Sequence, residues 1–277
     1  MHIAFTKMHG LGNDFLVFES RPGAGLPEVR QWRQLADRRQ GVGFDQALLL
    51  EPPRTPDTTS YYRIFNADGT EVEQCGNGAR CVARYLQLAG RVAADGRVSM
   101  GSPAGVVQAK VLADGQVAVD LGEPNFAPAA LPFTASAAES TYSLQLGGEH
   151  VEFGAVSIGN PHVVLRVTDI ESAPVERLGR ALQADARFPQ AVNVGFMQVL
   201  DARHIRLRVY ERGVGETLAC GTGACAAVAV GRNLGLLASE VEVHVPGGRL
   251  GVHWQGPGHS VWLTGPAAVS YTGQVDI

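Results

Sequence analysis

Lysine is almost missing from this chain of 277 residues: Lys7 and Lys110 are its only two. A pyridoxal enzyme needs a lysine for its Schiff base, and neither of these sits in an evident phosphate-binding setting. Cysteine is sparse too. Four cysteines would permit two disulfides, yet their spacing fits neither a secreted framework nor a C-x-x-C zinc or redox motif. No metal and no cofactor are therefore expected. There is no basic run, and the formal net charge is −4, which argues against nucleic acid and anionic membranes as partners. Met1 to Gly10 carries no apolar signal core, and no apolar run approaches the length of a membrane span, so a cytoplasmic protein is expected. What remains is 45% hydrophobic and 18% charged, the profile of a globular chain long enough for two domains.

What is present is a duplication. Cys75-Gly76-Asn77-Gly78-Ala79 returns as Cys220-Gly221-Thr222-Gly223-Ala224, at an offset of 145 residues. Upstream, Tyr62 to Asn66 lines up with Leu207 to Glu211, and Glu71 with Glu216. Further back the offset becomes 147: Gly12-Asn13 matches Gly159-Asn160, and Gln46 falls opposite Asn193. The chain reads as one fold written twice, with one cysteine per copy at the same place. In each copy a β-patterned run leads through a turn-rich segment to the cysteine. Two glycines then flank a residue able to cap a helix, and an apolar helical segment follows. Each cysteine thus precedes a helix N-terminus, where unpaired N–H groups and the positive dipole end stabilise a thiolate and can hold a carboxylate.

The spacing predicts strands at residues 2–7, 14–18 and 47–50, a turn over 9–13, and a helix over 27–39. Short strands should fill 97–121. Residues 122–139, rich in proline and alanine, are the best candidate for a link. The second half repeats the plan, with a helix over 175–183 and strands near 151–158, 163–167, 194–200, 205–210, 241–245, 250–254 and 261–264. An α+β class is expected: two pseudo-symmetric domains, each a mostly antiparallel sheet wrapped around a central helix. The expected domains are 1–127, with the tail 266–277 returning to it, and 128–265. A pseudo-twofold would bring the two helix N-termini face to face at the domain boundary.

Two acid–base groups on opposite sides of one carbon can remove a proton from one face and return it on the other. That is racemisation or epimerisation, and it requires one thiolate and one thiol. The helix N–H groups would have to stabilise the carboxylate as it gains enolate character. Free cysteines are more often small core residues, and Cys81 and Cys225 are read that way. For Cys75 and Cys220 the duplication favours the chemical role. His162 is open between tuning a thiol and closing the turn after Pro161. Asn13, Asn66, Asn160 and Asn193 have the composition of turn residues but recur at equivalent turns.

Lys7 to Phe15 (KMHGLGNDF), Phe65 to Gly69 (FNADG), Glu73 to Cys81 (EQCGNGARC), Gly159 to His162 (GNPH), Glu211 to Gly213 (ERG) and Ala219 to Gly223 (ACGTG) together resemble the bacterial diaminopimelate epimerase family, in order and over nearly the whole chain. The resemblance implies a cofactor-independent interconversion of LL- and meso-diaminopimelate, for lysine and cell-wall synthesis. It makes Cys75 and Cys220 the two bases, with the backbone at Gly76-Asn77 and Gly221-Thr222 holding the reacting carboxylate. Asn13, Asn66, Asn160, Asn193 and Arg212 would grip the distal amino-acid end, and Gln46 and Glu211 would complete the pocket. His162 and Glu211 would bias the thiol pKa values. A homodimer with a contact at Tyr271 is implied as well. Related readings are a proline racemase or hydroxyproline epimerase, which would not need Arg212, and a phenazine-type isomerase, which would lack the cysteine pair. A non-catalytic small-molecule binding protein is the reading from a different class.

Overall fold

The computed structural model describes residues 2–21, 23, 25–72, 75–135 and 137–277. It divides into two compact units, Met1–Val119 with Thr264–Ile277, and Asp120–Leu263. The boundaries expected from sequence were 127/128 and 265/266.

The first unit runs β1 (His2–Gly10), β2 (Asn13–Glu19), α1 (Val29–Ala36), β3 (Gln46–Glu51), β4 (Ser60–Asn66), β5 (Glu71–Val72), α2 (Gly76–Leu88), β6 (Arg97–Ser102), β7 (Gly105–Val111) and β8 (Val117–Asp120). β1 pairs antiparallel with β2, β2 parallel with β3, and β3 antiparallel with β4. β4 takes β5 antiparallel and β6 parallel, and β6 and β7 continue antiparallel. The C-terminal strand, Ala268–Asp276, lies antiparallel to β1.

The second unit repeats this order strand for strand. After β9 (Tyr142–Leu146) come β10 (Glu149–Ser157), β11 (Pro161–Arg166), α3 (Val175–Gln183), β12 (Asn193–Asp201), β13 (His204–Glu211), β14 (Gly215–Thr217), α4 (Gly221–Asn233), β15 (Glu240–Val245), β16 (Gly248–His253) and β17 (Trp262–Gly265). The C-terminal strand is then β18. The parallel pairs fall at the equivalent places, β11 with β12 and β13 with β15. β9 flanks β10 as β18 flanks β1. Each sheet is therefore mostly antiparallel with two parallel joints, and four α-helices among the described residues complete the α+β fold.

The central helices follow from their composition. α4 buries every residue from Gly221 to Gly231, and α2 buries most of its first turns. A helix apolar on all sides must be surrounded. α4 touches β10, β11, β12, β13 and β16, and α2 touches β1, β2 and β7, so strands from both ends of each sheet reach the helix. The outer helices are amphipathic instead. α1 buries only Trp32 and Leu35, with Trp32 stacked on Phe65 at 5.0 Å between centroids. α3 buries Val175, Leu178, Gly179 and Leu182, and runs over the residues expected.

Some local expectations shift. The helix foreseen over 27–39 is shorter at both ends. Glu28 opens it with a capping box to Gln31, and Asp37 ends it by accepting the N–H groups of Arg39 and Gln40. The first turn is tighter than foreseen: β1 runs to Gly10, and Leu11 and Gly12 alone reverse the chain, both at positive φ. Residues 122–139 do more than connect. Leu131 and Phe133 belong to the second unit's core, and Phe133 stacks on Phe188 at 4.8 Å. The turn-rich approach to each cysteine contains a short strand, β5 or β14. Each is held by a bidentate ion pair, Arg63–Glu71 (2.7 and 2.6 Å) or Arg208–Glu216 (2.6 and 2.9 Å). Glu73 and Gln74, part of the first cysteine motif, lie outside the described residues.

Gly69 shows how tightly the approach to α2 is fitted. Its φ is +84°, and a Cβ there would come 2.5 Å from Trp32 Cδ1. Gly90 has a similar φ of +70° with nothing within 4 Å of its Cβ position. Gly90→Ala should cost about 1 kcal/mol from the backbone alone, and Gly69→Ala about 1–3 kcal/mol more because Trp32 must move. Urea unfolding of both variants measures this; equal losses would mean that Trp32 yields freely.

Candidate active site

In the first unit the strand ends converge on the N-terminus of α2. Cys75 is the N-cap, extended at φ −150° and ψ 110°, and its Sγ accepts the N–H of Gly78 at 3.4 Å. A sulfur thus does what a serine or aspartate oxygen usually does. Gly78 allows a close approach, since a Cβ there would lie 3.1 Å from Leu48 Cδ2 on β3, so that side chain would have to give way. Asn13, the first residue of β2, places Oδ1 3.9 Å from Cys75 Sγ, and that oxygen accepts from Asn77 Nδ2 at 3.2 Å. Asn77 Oδ1 accepts in turn from Arg80 Nη2 at 2.9 Å. Gln46 opens β3 and Asn66 closes β4; they stand opposite each other, with Gln46 Nε2 donating to Asn66 Oδ1 at 3.0 Å.

A charge network that sequence reasoning missed stands behind Asn13. Asn13 Nδ2 donates to Asp45 Oδ2 at 3.0 Å, and Arg38 bridges Asp45 (2.7 Å) and Asp14 (2.8 Å). The buried Lys7 pairs with Asp14 at 2.7 Å and also donates to the Gly43 carbonyl. Burial alone would raise the Asp14 carboxyl, but hydrogen bonds from Arg38 and Lys7 outweigh it and hold the group well below the usual carboxylate range. The signal available in the sequence was the charged flank of the Lys7 to Asp14 motif.

In the second unit Cys220 caps α4 and accepts the N–H of Gly223 at 3.4 Å. Gly223 is again tightly fitted: a Cβ would lie 2.9 Å from Val209 Cγ2 and 3.2 Å from Cys220 Sγ, so a neighbour would have to shift. The neighbours differ. Thr222 Oγ1 is 3.6 Å from Cys220 Sγ and 3.3 Å from Asn160 Nδ2, which donates to it. His162 Nε2 lies 3.0 Å from both Asn160 Oδ1 and Thr222 Oγ1. Asn193 works through the backbone: its Nδ2 donates to the Pro161 carbonyl at 3.0 Å, and its Oδ1 accepts the N–H of Arg212 at 2.9 Å. That leaves the Arg212 side chain exposed, anchored to the Gln190 carbonyl at 3.1 Å. Glu211 ends β13 and accepts from Thr217 Oγ1.

The charges here are set by burial. Burial pushes the Cys220 thiol well above its ordinary value, and the Glu211 carboxylate adds to the rise, while Thr222 and the Gly223 N–H oppose it. Glu211 is itself raised by burial, with hydrogen bonds from Thr217 and Cys220 pulling the other way. Cys220 is accordingly a protonated thiol at neutral pH. His162 is fully enclosed, and burial first, then the Arg212 guanidinium, lowers its pKa to about 3. It is a neutral imidazole. With its proton on Nε2 it donates to Asn160 Oδ1, and the Asn160 amide passes a hydrogen bond on to Thr222. Cys81 and Cys225 are buried within their helices, and burial pushes the Cys81 thiol up to about 12. Tyr271 is half exposed on β18, with its ring edge-on to Phe5 at 5.9 Å. Among the described residues no histidine, cysteine, aspartate and glutamate cluster could hold a metal ion, and no helix is long and apolar enough to cross a membrane.

The fold written twice is shared with solved structures whose names are those of epimerases and of other proteins. A hydroxyproline epimerase from Agrobacterium vitis superposes with a TM-score of 0.70 at 18% identity, covering 99% of this chain and 92% of that one. A phenazine biosynthesis protein from Bacillus anthracis gives 0.69 at 17% identity, covering all of both chains. At such identities the likeness is one of fold. Sequence carries it further: the family model described as diaminopimelate epimerase matches residues 5–127 and 154–270. The diaminopimelate epimerases of Stutzerimonas stutzeri and Pseudomonas paraeruginosa are 50% and 51% identical over 275 residues, 99% of each chain. The chain belongs to the diaminopimelate epimerase family and is an isomerase.

His162 gives the second unit a pH dependence of known sign. Its pKa is about 3 folded against 6.5 as the ordinary value, so below pH 6.5 the unfolded chain binds a proton that the folded chain refuses. Stability is therefore full above that pH and falls as acid is added. His162→Gln has nothing to protonate there, so wild type should lose about 2 kcal/mol more than the variant between pH 6.5 and pH 5. Denaturant titrations at the two pH values test this; equal losses would show that His162 is not buried as a neutral ring.

Proposed function

We propose that this isomerase interconverts LL- and meso-2,6-diaminopimelate without a cofactor, by proton transfer between Cys75 and Cys220 on opposite faces of one α-carbon. The observation that carries the reading is the repeated sulfur cap: each cysteine sits at a helix N-terminus and accepts the third N–H of its helix. The roughly 50% identity to epimerases of that name supplies the substrate. Cys220 carries the proton at rest, because burial and Glu211 keep it neutral. Cys75 is then the first base and Cys220 the first acid, and the reverse direction exchanges the roles. The electron pair left on the α-carbon moves toward the carboxylate, whose oxygens the N–H groups at Gly76-Asn77 and Gly221-Thr222 hold.

Arg212, exposed and held by its backbone to Asn193, takes the distal carboxylate. Asn13, Asn66, Asn160, Asn193, Gln46 and Glu211 shape the rest of the pocket. His162 and Glu211 tune the thiols: one as a neutral ring behind Thr222, the other as the acceptor beside Cys220. The product serves lysine and peptidoglycan precursor synthesis in the cytoplasm. The enzyme acts as a homodimer with Tyr271 at the contact.

In deuterium oxide, LL-diaminopimelate should exchange its α-hydrogen while proline, alanine and glutamate should not. Comparable exchange from proline would replace the substrate assignment with that of a proline racemase, and no exchange from any substrate would favour a binding protein. Cys75→Ala and Cys220→Ala should each lose epimerisation by about 10²–10⁴-fold, since either leaves one face of the carbon without a proton carrier. Near-normal turnover in either, at normal folding, would overturn the two-base mechanism. Tyr271→Ala should move sedimentation toward the monomer; an unchanged species would remove Tyr271 from the contact.

A further inference from the structure

Arg80 and Asp45 stand at the two ends of a hydrogen-bonded row that passes directly beside Cys75. Arg80 is fully buried and donates from Nη2 to Asn77 Oδ1 at 2.9 Å. Asn77 Nδ2 donates to Asn13 Oδ1 at 3.2 Å, and Asn13 Nδ2 donates to Asp45 Oδ2 at 3.0 Å. The direction of the row is forced by its ends. A guanidinium has no acceptor, so the Asn77 atom facing it must be oxygen; a carboxylate has no donor, so the Asn13 atom facing it must be nitrogen. Between them the two amides can point only one way, and Asn13 Oδ1 is left 3.9 Å from Cys75 Sγ.

The Asp45 carboxylate is itself held. Its Oδ1 accepts from Arg38 at 2.7 Å and its Oδ2 from the Asp14 N–H at 3.1 Å, while Arg38 also grips Asp14. Nothing of this recurs in the second copy. The residues equivalent to Arg80 and Asp45 are Cys225 and Val192, and Asn77 is replaced by Thr222. There Asn160 is oriented by a neutral histidine instead.

We propose that Arg80 and Asp45 are positioning residues that clamp the Asn77 and Asn13 amides in one hydrogen-bond direction, so that Cys75 faces a carbonyl oxygen and not an amide NH₂. This rests on the proposed function in taking Asn13 and Asn77 as part of the substrate site. An oxygen facing the sulfur accepts from a thiol and repels a thiolate; an NH₂ would do the reverse. The clamp therefore moderates, without abolishing, the ionisation that lets Cys75 act as the base, and presents both amides to substrate in a single orientation. Asp45→Asn removes the acceptor-only end, because its own NH₂ can donate, so Asn13 is ordered from the Asn77 side alone and its turned-over form costs less.

The test is the pH profile of iodoacetamide alkylation at Cys75, followed by peptide mapping, together with epimerisation of LL-diaminopimelate. Asp45 is nearly half exposed, so Asp45→Asn should melt as wild type does. Its Cys75 alkylation profile should move to lower pH, and kcat/KM should fall about tenfold. In an Asn13→Ala background the same Asp45→Asn change should move neither, because it acts through Asn13. No shift in the single variant, or a shift that persists without the Asn13 amide, would overturn the clamp; the latter would mark a plain charge effect. If the alkylation profile shifts as expected but wild type does not turn over LL-diaminopimelate, the clamp stands and the functional reading fails. If turnover is normal in wild type and alkylation does not shift, the clamp alone fails.

Discussion

Everything at the two candidate half-sites depends on a sulfur atom capping a buried helix. The first N–H groups of a helix need acceptors, and α2 and α4 begin inside their units, where water cannot serve them all. Cys75 and Cys220 supply the acceptor from the N-cap position, each to the third residue of its helix. A side chain at that third residue would crowd Leu48 of β3 or Val209 of β13. The cap thus links local conformation, the closeness of helix to sheet, and the electrostatics of the thiol in one arrangement.

Around this shared device the two copies carry different chemistry. Where the first has Phe15, Asn66 and Asn77, the second has His162, Glu211 and Thr222. The first thiol sits beside amides ordered by charges further out, Arg80 at one end and Asp45 at the other. The second is enclosed with a carboxylate, a hydroxyl and a neutral imidazole close by. A duplicated scaffold thereby gives two cysteines in unlike surroundings. The difference comes from a few side chains at strand ends and in the first helical turn.

Relatives of low identity share the scaffold while their names point to different chemistry, among them a hydroxyproline epimerase and a phenazine biosynthesis protein. The scaffold offers two helix N-termini and a ring of strand ends, and the residues placed there decide what is done. In this chain those residues are mostly amides, with a single exposed arginine, Arg212, held by its backbone N–H to Asn193.

The duplication and the helix after each cysteine were legible in the sequence, because a repeat is visible as letters and turn chemistry acts within a few residues; the cap, expected at Asn77 or Thr222, is instead the cysteine itself. Even the Glu71–Glu216 correspondence could be seen, though its reason, an ion pair to Arg63 or Arg208 across a short hairpin, could not. Three features were decided only by tertiary structure. Residues 122–139 show no periodicity, yet Leu131 and Phe133 enter the second core, because burial there depends on Phe153 and Phe188, which lie far along the chain. The proton state of Cys220 and His162 is set by enclosure, a property of the surrounding shell that no residue carries by itself. The row from Arg80 to Asp45 joins residues 80, 77, 13 and 45, whose adjacency exists only once β2 pairs with β3 and α2 lies against them. Local interactions wrote the elements into the sequence; long-range packing chose which polar groups would face the sulfur.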